Sequence, residues 1–175
     1  MRALLLAGLT VALVACGPAS TKAAPEAGAQ IIDQGDNIVD FAGDDAQMNG
    51  AKLKARQTLP IFWRHLEAHP EMEHDLKVGL PTAAGSLEHI WVSDIKIDGA
   101  KIAGRLVNDP VDLAGLSMGS PVTFTRDQIS DWAYVKDGKM YGHYTTRVVV
   151  KHLDPTEAAQ LKAMLSQNPV ESDAS

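Results

Sequence analysis

The sequence predicts an α+β domain: an N-terminal amphipathic helix, a curved antiparallel sheet of five or six strands, and a C-terminal helix. Three observations predict it. From Met48 the apolar residues Ala51, Ala55, Leu59, Phe62 and Leu66 follow at steps of 3, 4, 4, 3 and 4, the stripe of one helix face. The middle of the chain then breaks into short β-branched and aromatic runs punctuated by Asp98-Gly99 and Asp137-Gly138, both hairpin turn signals. Asp154-Pro155 with Glu157 then opens a last helix, with a capping carboxylate, a proline in the first turn and an acid at the third position.

In chain order, Ile38, Val39 and Phe41 in residues 36–41 suggest a short edge strand. Asp44-Asp45 open the first helix, where acids favour the dipole. Pro60 within it either kinks the helix or opens a second one, and Pro70 ends it. Leu76, Val78 and Leu80 alternate as a strand before Pro81. Strands follow at 88–98, 101–108 and 122–124, with Asn108-Asp109-Pro110 closing the second of these. The clearest hairpin pairs 129–136 with 139–153. Ala158, Leu161, Met164 and Leu165 give the last helix its apolar side, and the tail from 167 to 175 is expected to fray.

A chain of 175 residues with net charge −6 and 45% hydrophobic residues suits one globular domain. The spread of acids argues against a nucleic-acid binder, which carries a basic face, and against a polybasic membrane-surface protein. The short apolar runs exclude a multi-span membrane protein. The domain is expected at 36–166, as a monomer, and no motif asks for a cofactor.

The first residues carry an address. Met1-Arg2 precedes an apolar run over 3–15, a signal-peptide layout too short to span a bilayer. Leu13-Val14-Ala15-Cys16 resembles the bacterial lipobox, which implies cleavage before Cys16 and a lipidated thiol. Cys16 is the single cysteine, so no intrachain disulfide competes for it; the alternative is a secretory peptide with a stray cysteine. Three acyl chains exceed the two signals that stable anchoring takes. Gly17 after the cysteine, rather than Asp, favours the outer membrane, with the domain facing the periplasm. Eleven of the fourteen residues 17–30 are Gly, Ala, Pro, Ser or Thr. This is a flexible leash with a reach of roughly 20 Å.

The 129–153 hairpin is the most informative stretch. With Asp137-Gly138 as a two-residue loop, Lys136 faces Lys139, Tyr134 faces Tyr141 and Trp132 faces His143, and opposed residues share a sheet face. One face then carries Trp132, Tyr134, Tyr141, His143, Thr145 and Arg147. The other carries Ile129, Ala133, Val135, Met140, Tyr144 and Val148. The first face suits a flat organic ligand, a sugar, a peptide strand or a partner protein. The competing reading packs Trp132 and Tyr134 under the N-terminal helix and pairs Arg147 with Asp131 or another acid.

At this point the residues resemble a known family. Glu88-His89-Ile90-Trp91-Val92, Asn108-Asp109-Pro110, Asp131-Trp132-Ala133-Tyr134, Gly138 and Gly142-His143-Tyr144-Thr145-Thr146-Arg147 look like the YegJ-like domain of unknown function. Met48, Ala55-Arg56, Thr58-Leu59 and Phe62 look like that family's helix. The resemblance spans residues 36–150 and implies a bacterial protein, with relatives that often look like envelope lipoproteins. It implies no activity and no catalytic residue.

Other motifs are weaker. Residues 65–74 hold His65, His69 and His74 with three glutamates, and His65 and His69 at i, i+4 suit a divalent metal. The order is not H-E-x-x-H, and a solvated helix end accounts for the cluster equally. Gly115-Leu116-Ser117-Met118-Gly119 matches a nucleophile elbow, but Asp-Pro before it and Pro121 after it deny the strand and helix an elbow needs. Asp131, His143 and His89 are an acid–base set without a named reaction. The sequence therefore points to a non-enzymatic binding module that presents Trp132, Tyr134, Tyr141, His143, Arg147, Asp131 and His89 to a periplasmic partner protein or an envelope ligand. The alternative is a small envelope enzyme or metal-dependent protein using the His/Asp residues.

Overall fold

The computed structural model describes residues 45–171. The expectations for the signal peptide, Cys16, the leash and the 36–41 strand lie outside the described residues.

Asp45 accepts a hydrogen bond from Met48 N at 2.6 Å and starts α1, Ala46–Ala68. The side-chain oxygen satisfies one of the amides that a helix start leaves free. Pro60 lies inside α1 and does not divide it. The expected stripe is the buried face, with Met48, Ala51, Ala55 and Phe62 in the core and Leu59 and Leu66 packed against it.

Six strands follow: β1 (His74–Pro81), β2 (Leu87–Asp98), β3 (Lys101–Leu106), β4 (Pro121–Thr125), β5 (Ile129–Lys136) and β6 (Lys139–Gly142). They form one antiparallel sheet in the order β4-β3-β2-β1-β5-β6. Asp98 pairs with Lys101, so the loop is Gly99-Ala100. The Asp137-Gly138 loop is as expected, with Lys136 opposite Lys139 and Tyr134 opposite Tyr141. Both loop residues have positive φ, 51° and 69°, the demand that Asp-Gly meets in a two-residue hairpin. The elbow-like residues 115–119 sit in the β3–β4 connection, outside helix and strand.

Period-two alternation assigns the two faces of the sheet. Leu76 pairs with Val92 and Trp132, and all three are fully buried. With Val78, Ile90, Ile102, Leu106, Phe124 and Ile129 they pack against Phe62 and Ala55 of α1. The next residue along, Lys77, pairs with Trp91 and Asp131 on the opposite face.

The register between β1 and β5 shifts at Lys77/Val78, where Ser130 is the extra residue. Such a bulge interrupts the ladder and leaves backbone groups to be satisfied by other means. Side chains do it here: Ser130 Oγ donates to Lys77 O at 3.1 Å, Gln128 Nε2 to Gly79 O at 3.1 Å and Arg56 Nε to Ile129 O at 2.9 Å.

The predicted long second strand of the hairpin is a correction. Pairing ends at Ala133 opposite Gly142, so Trp132 does not face His143 across a ladder. His143 takes the left-handed conformation, φ 51°, and α2 (Tyr144–Val149) follows. The cause is the Asp131 carboxylate. It accepts from Tyr144 N (3.1 Å), Thr145 N (2.7 Å), Thr145 Oγ1 (2.7 Å) and Trp132 N (2.8 Å). These bonds satisfy the first amides of α2 as a cap would. The last helix is α3, Pro155–Met164, with Asp154 Oδ1 accepting from Thr156 N and Glu157 N. Val150, Ala158 and Leu161 form a small second cluster with Met140 and Leu153.

Residues 167–171 are held rather than frayed. Ser166 N donates to Met140 O at 2.9 Å, and Gly142 N donates to Pro169 O at 2.7 Å. Among the described residues no helix is long and apolar enough to cross a membrane.

Gly142 is the tightest joint. Its φ is +71°, and a Cβ there would lie 2.1 Å from Trp132 O and 2.5 Å from the Trp132 ring. Gly142→Ala is expected to cost more than about 3 kcal/mol, because steric overlap adds to left-handed strain. Gly115, φ +80° with nothing within 4 Å, is the control: its alanine variant should lose only about 1–2 kcal/mol. Urea denaturation of both variants measures the difference, and equal losses would contradict the packing described.

Candidate functional site

The structure splits the predicted binding residues into three groups. Trp132 and Tyr134 are core, at 0% and 2% exposure. The Trp132 indole donates to Ala55 O (3.0 Å) and Thr58 Oγ1 (3.1 Å). Its ring stacks near Tyr134 at 5.7 Å, and Tyr134 stacks on Tyr141 at 5.2 Å. The face expected to receive a ligand thus packs on α1. Tyr141 is half-buried beside Ser166 and Val170. Burial of large aromatics outweighs their display in a domain with few of them.

Arg147 and Asp131 hold the backbone. Arg147 donates to Gly142 O (3.0 Å), Ser166 O (2.9 Å) and Ser166 Oγ (3.0 Å), tying the start of α2 to the end of α3. It is not paired with Asp131. Asp131 is fully buried, and its carboxylate is spent on the four donors already described.

His89 and His143 come together on the face opposite the core, around two residues that sequence reasoning did not single out as site residues. Trp91, Lys77 and Asp131 form one row across β2, β1 and β5. Lys77 Nζ sits 5.6 Å over the Trp91 ring, and the His143 ring lies 4.9 Å from Trp91. Lys77, Trp91, His89 and His143 are half-buried rather than sealed. Period two could have found the Trp91–Lys77 row, since Leu76 and Val78 mark Lys77 as facing away from the core.

A hydrogen-bond relay runs through His89. Lys52 Nζ lies 3.2 Å from His89 Nε2, and His89 Nδ1 lies 2.9 Å from Ser130 Oγ. Ser130 donates to Lys77 O, so the polarity that uses every donor is Lys52 ammonium to Nε2, Nδ1–H to Ser130 Oγ, and Ser130 hydroxyl to carbonyl. That polarity requires neutral His89. Burial, with Lys52, Lys77 and Arg56 around it, lowers the His89 pKa to about 4. Burial, Lys77 and Arg147 lower His143 to about 3. Lys52 is also depressed, by burial and by Arg56. Ser130 has no exposed surface, so the serine–histidine contact offers no nucleophile to a substrate.

The three metal candidates lie at the other end of α1. His74 Nδ1 donates to Met72 O at 2.8 Å, which leaves Nε2 to accept from His65 Nδ1 at 2.8 Å. Two ring nitrogens facing each other do not converge on an ion. His69 is close to His65 by ring contact, at 4.8 Å, and its Nδ1 lies 3.8 Å from Glu71. Among the described residues no group of three or more His, Cys, Asp or Glu side chains is arranged to hold a metal. His65 stacks on Tyr134 at 3.7 Å, while Tyr134 OH (3.0 Å) and Lys136 both donate to Glu171. His65 Nε2 is buried without a hydrogen bond, 3.8 Å from Glu171 Oε1. Burial and His74 lower the His65 pKa to about 4, and burial also lowers His74.

Residues 45–166 match the profile of a family described as an uncharacterised protein conserved in bacteria, DUF2314. The chain is 31% identical over 130 residues to the uncharacterised protein YegJ of Escherichia coli K12, covering 74% of this chain and 84% of YegJ. It is also 31% identical over 126 residues to a Neisseria meningitidis serogroup B protein named as an ankyrin repeat protein, covering 66% of this chain and 49% of that one. The match thus spans about half of the Neisseria protein's length. No solved structure matches.

Two predictions follow from this geometry. Trp132→Ala should destabilise the domain by about 3–5 kcal/mol, read by urea denaturation, whereas Trp91→Ala should cost less, about 1–2 kcal/mol, because its ring is half-buried rather than sealed. Equal losses would contradict the assignment of faces.

The second concerns pH. His65, His74, His89 and His143 all bind a proton less readily folded than unfolded. Their contribution is complete above about pH 6.5, the unfolded value, and is lost as pH falls toward 4. Asp75 runs the other way: burial, Glu73 and Asp94 raise its pKa to about 7, so its contribution is lost as pH rises from about 4 to 7. Burial also raises Asp131, against its donors and Lys77. Four imidazoles outweigh two carboxyls, so calorimetry should show Tm falling between pH 6.5 and pH 5. His89→Gln should flatten the slope, and a rising Tm would contradict the neutral-histidine assignment.

Proposed function

We propose, on the premise that the chain belongs to DUF2314, the family of uncharacterised proteins conserved in bacteria, that it is a non-enzymatic binding module anchored in the cell envelope. Cys16 carries the lipid, the residues after it form the leash, and the domain faces the periplasm from the outer membrane. The partner is a periplasmic protein or an envelope ligand. The observation that carries the reading is the half-buried row of Trp91, Lys77 and His143, with His89 beside it, on the sheet face that α1 leaves uncovered. An aromatic ring beside a cation at a partly solvated surface is the composition that binding surfaces favour. The sequence Leu13-Val14-Ala15-Cys16 supports the anchor, and the single cysteine supports that use of the thiol.

Tyr141 and Arg147 leave the proposed contact set, because they brace the C-terminal segment. Asp131 leaves it as a cap, and Trp132 and Tyr134 leave it as core. The acid–base alternative loses its acid in the same way, since all four of the Asp131 contacts are structural.

Native mass spectrometry of the full chain extracted in detergent tests both halves. The expected mass is residues 16–175 with three acyl chains, carrying a noncovalently bound protein or small molecule. The Trp91→Ala chain should keep the lipid and the fold and release the bound species. An unacylated mass would overturn the anchor, and a bound species retained by Trp91→Ala would overturn the binding face.

A further inference from the structure

Three cations gather where the open face meets α1. Lys52 and Arg56 are one turn apart on α1, Lys77 is on β1, and all three act electrostatically on His89 of β2. Among the described residues no Asp or Glu lies within 4.0 Å of Lys52, Arg56 or Lys77. Two acids act on the group from further away: Asp131 on Lys77, its oxygens already serving four donors, and the exposed Asp127 on Arg56. Among the described residues, donors remain without a partner at the cluster. Arg56 uses Nε on Ile129 O, and its two terminal nitrogens make no hydrogen bond among the described residues. Among the described residues Lys77 Nζ makes no hydrogen bond and sits over Trp91, and Lys52 Nζ bonds only to His89. Arg56 is exposed and Lys52 and Lys77 are half-buried, so the group is open to solvent.

Such a cluster is unexpected in a chain of net charge −6. Like charges held together repel, and a fold tolerates this at a site where an opposite charge arrives from outside. We propose that Lys52, Arg56 and Lys77, arranged around the His89–Ser130 pair, bind a phosphate group, either free or as a phosphomonoester. The charge selects the ligand. A carboxylate brings one negative charge to three cations, whereas a phosphomonoester brings about −1.5 to −2 and three strong acceptor oxygens. Arginine supplies a planar fork and lysines supply point charges, the pair of donor types that phosphate sites use. Trp91 beside Lys77 offers an aromatic surface to whatever the phosphate is attached to. This inference rests on the open face being the binding face and names the chemistry it takes.

The test is a titration of the ¹⁵N-labelled full chain in detergent micelles with inorganic phosphate and with phenyl phosphate, at constant ionic strength. The expected result is a saturable shift confined to Lys52, Arg56, Lys77, His89, Ser130 and the Trp91 indole, with a rise in Tm as ligand accumulates. Lys77→Met and Lys52→Gln should each weaken binding at least tenfold while the ¹⁵N spectrum of the free variant stays that of the folded chain. Tighter binding of phenyl phosphate places the source among phosphomonoesters, and equal binding of both places it with free phosphate. No saturable shift, or a shift that potassium chloride reproduces or that both variants retain, would overturn the proposal. In that case a bound species lost in Trp91→Ala would still leave the binding face standing with a different ligand.

Discussion

The fold turns on one carboxylate. Asp131 sits fully buried in β5 and takes four donors, three of them from Tyr144 and Thr145. Those bonds stop β6 at Gly142, draw the chain through a left-handed His143 and start α2. A buried carboxylate is tolerable only when its lone pairs are met, so the three elements are fixed together or not at all. The consequence reaches the open face. The same turn that seats Gly142 on Trp132 throws the His143 ring across the sheet toward Trp91.

Much of the architecture was legible because it rests on local chemistry. The α1 stripe, the Asp45 and Asp154 starts, the strand alternation and the Asp137-Gly138 loop each depend on residues within a few positions of one another. The end of β6 was not legible, because its cause is Asp131, more than ten residues upstream. Tyr144-Thr145-Thr146 and Val148-Val149-Val150 are β-branched and aromatic, and their local preference is strand; the cap overrides it. The hold on residues 167–171 was hidden for the same reason, since its partners Met140, Gly142 and Tyr134 are distant in sequence.

The candidate site was half legible. His89 and His143 were visible as polar residues in a β-rich stretch, but their meeting with Lys77 and Trp91 required the sheet order β2-β1-β5-β6. The aromatic density at 132–141 marks the core face, because richness in aromatics marks either a core or a binding surface and the position of α1 decides between them. α1 covers Trp132 and Tyr134, while its Arg56 bonds Ile129 O beside the bulge and its Lys52 reaches His89. One helix thus builds the core with one set of residues and furnishes charge to the opposite face with another. The acidic balance of the whole chain conceals a local concentration of positive charge.

Hydroxyl-radical footprinting of the full chain tests this division of faces most directly, because oxidation follows side-chain access to water. The account predicts rapid oxidation of Trp91 and near silence at Trp132 and Tyr134. Oxidation of Trp132 at a rate matching Trp91 would contradict it, since the aromatic ladder would then be the open surface and the row through Lys77 the covered one.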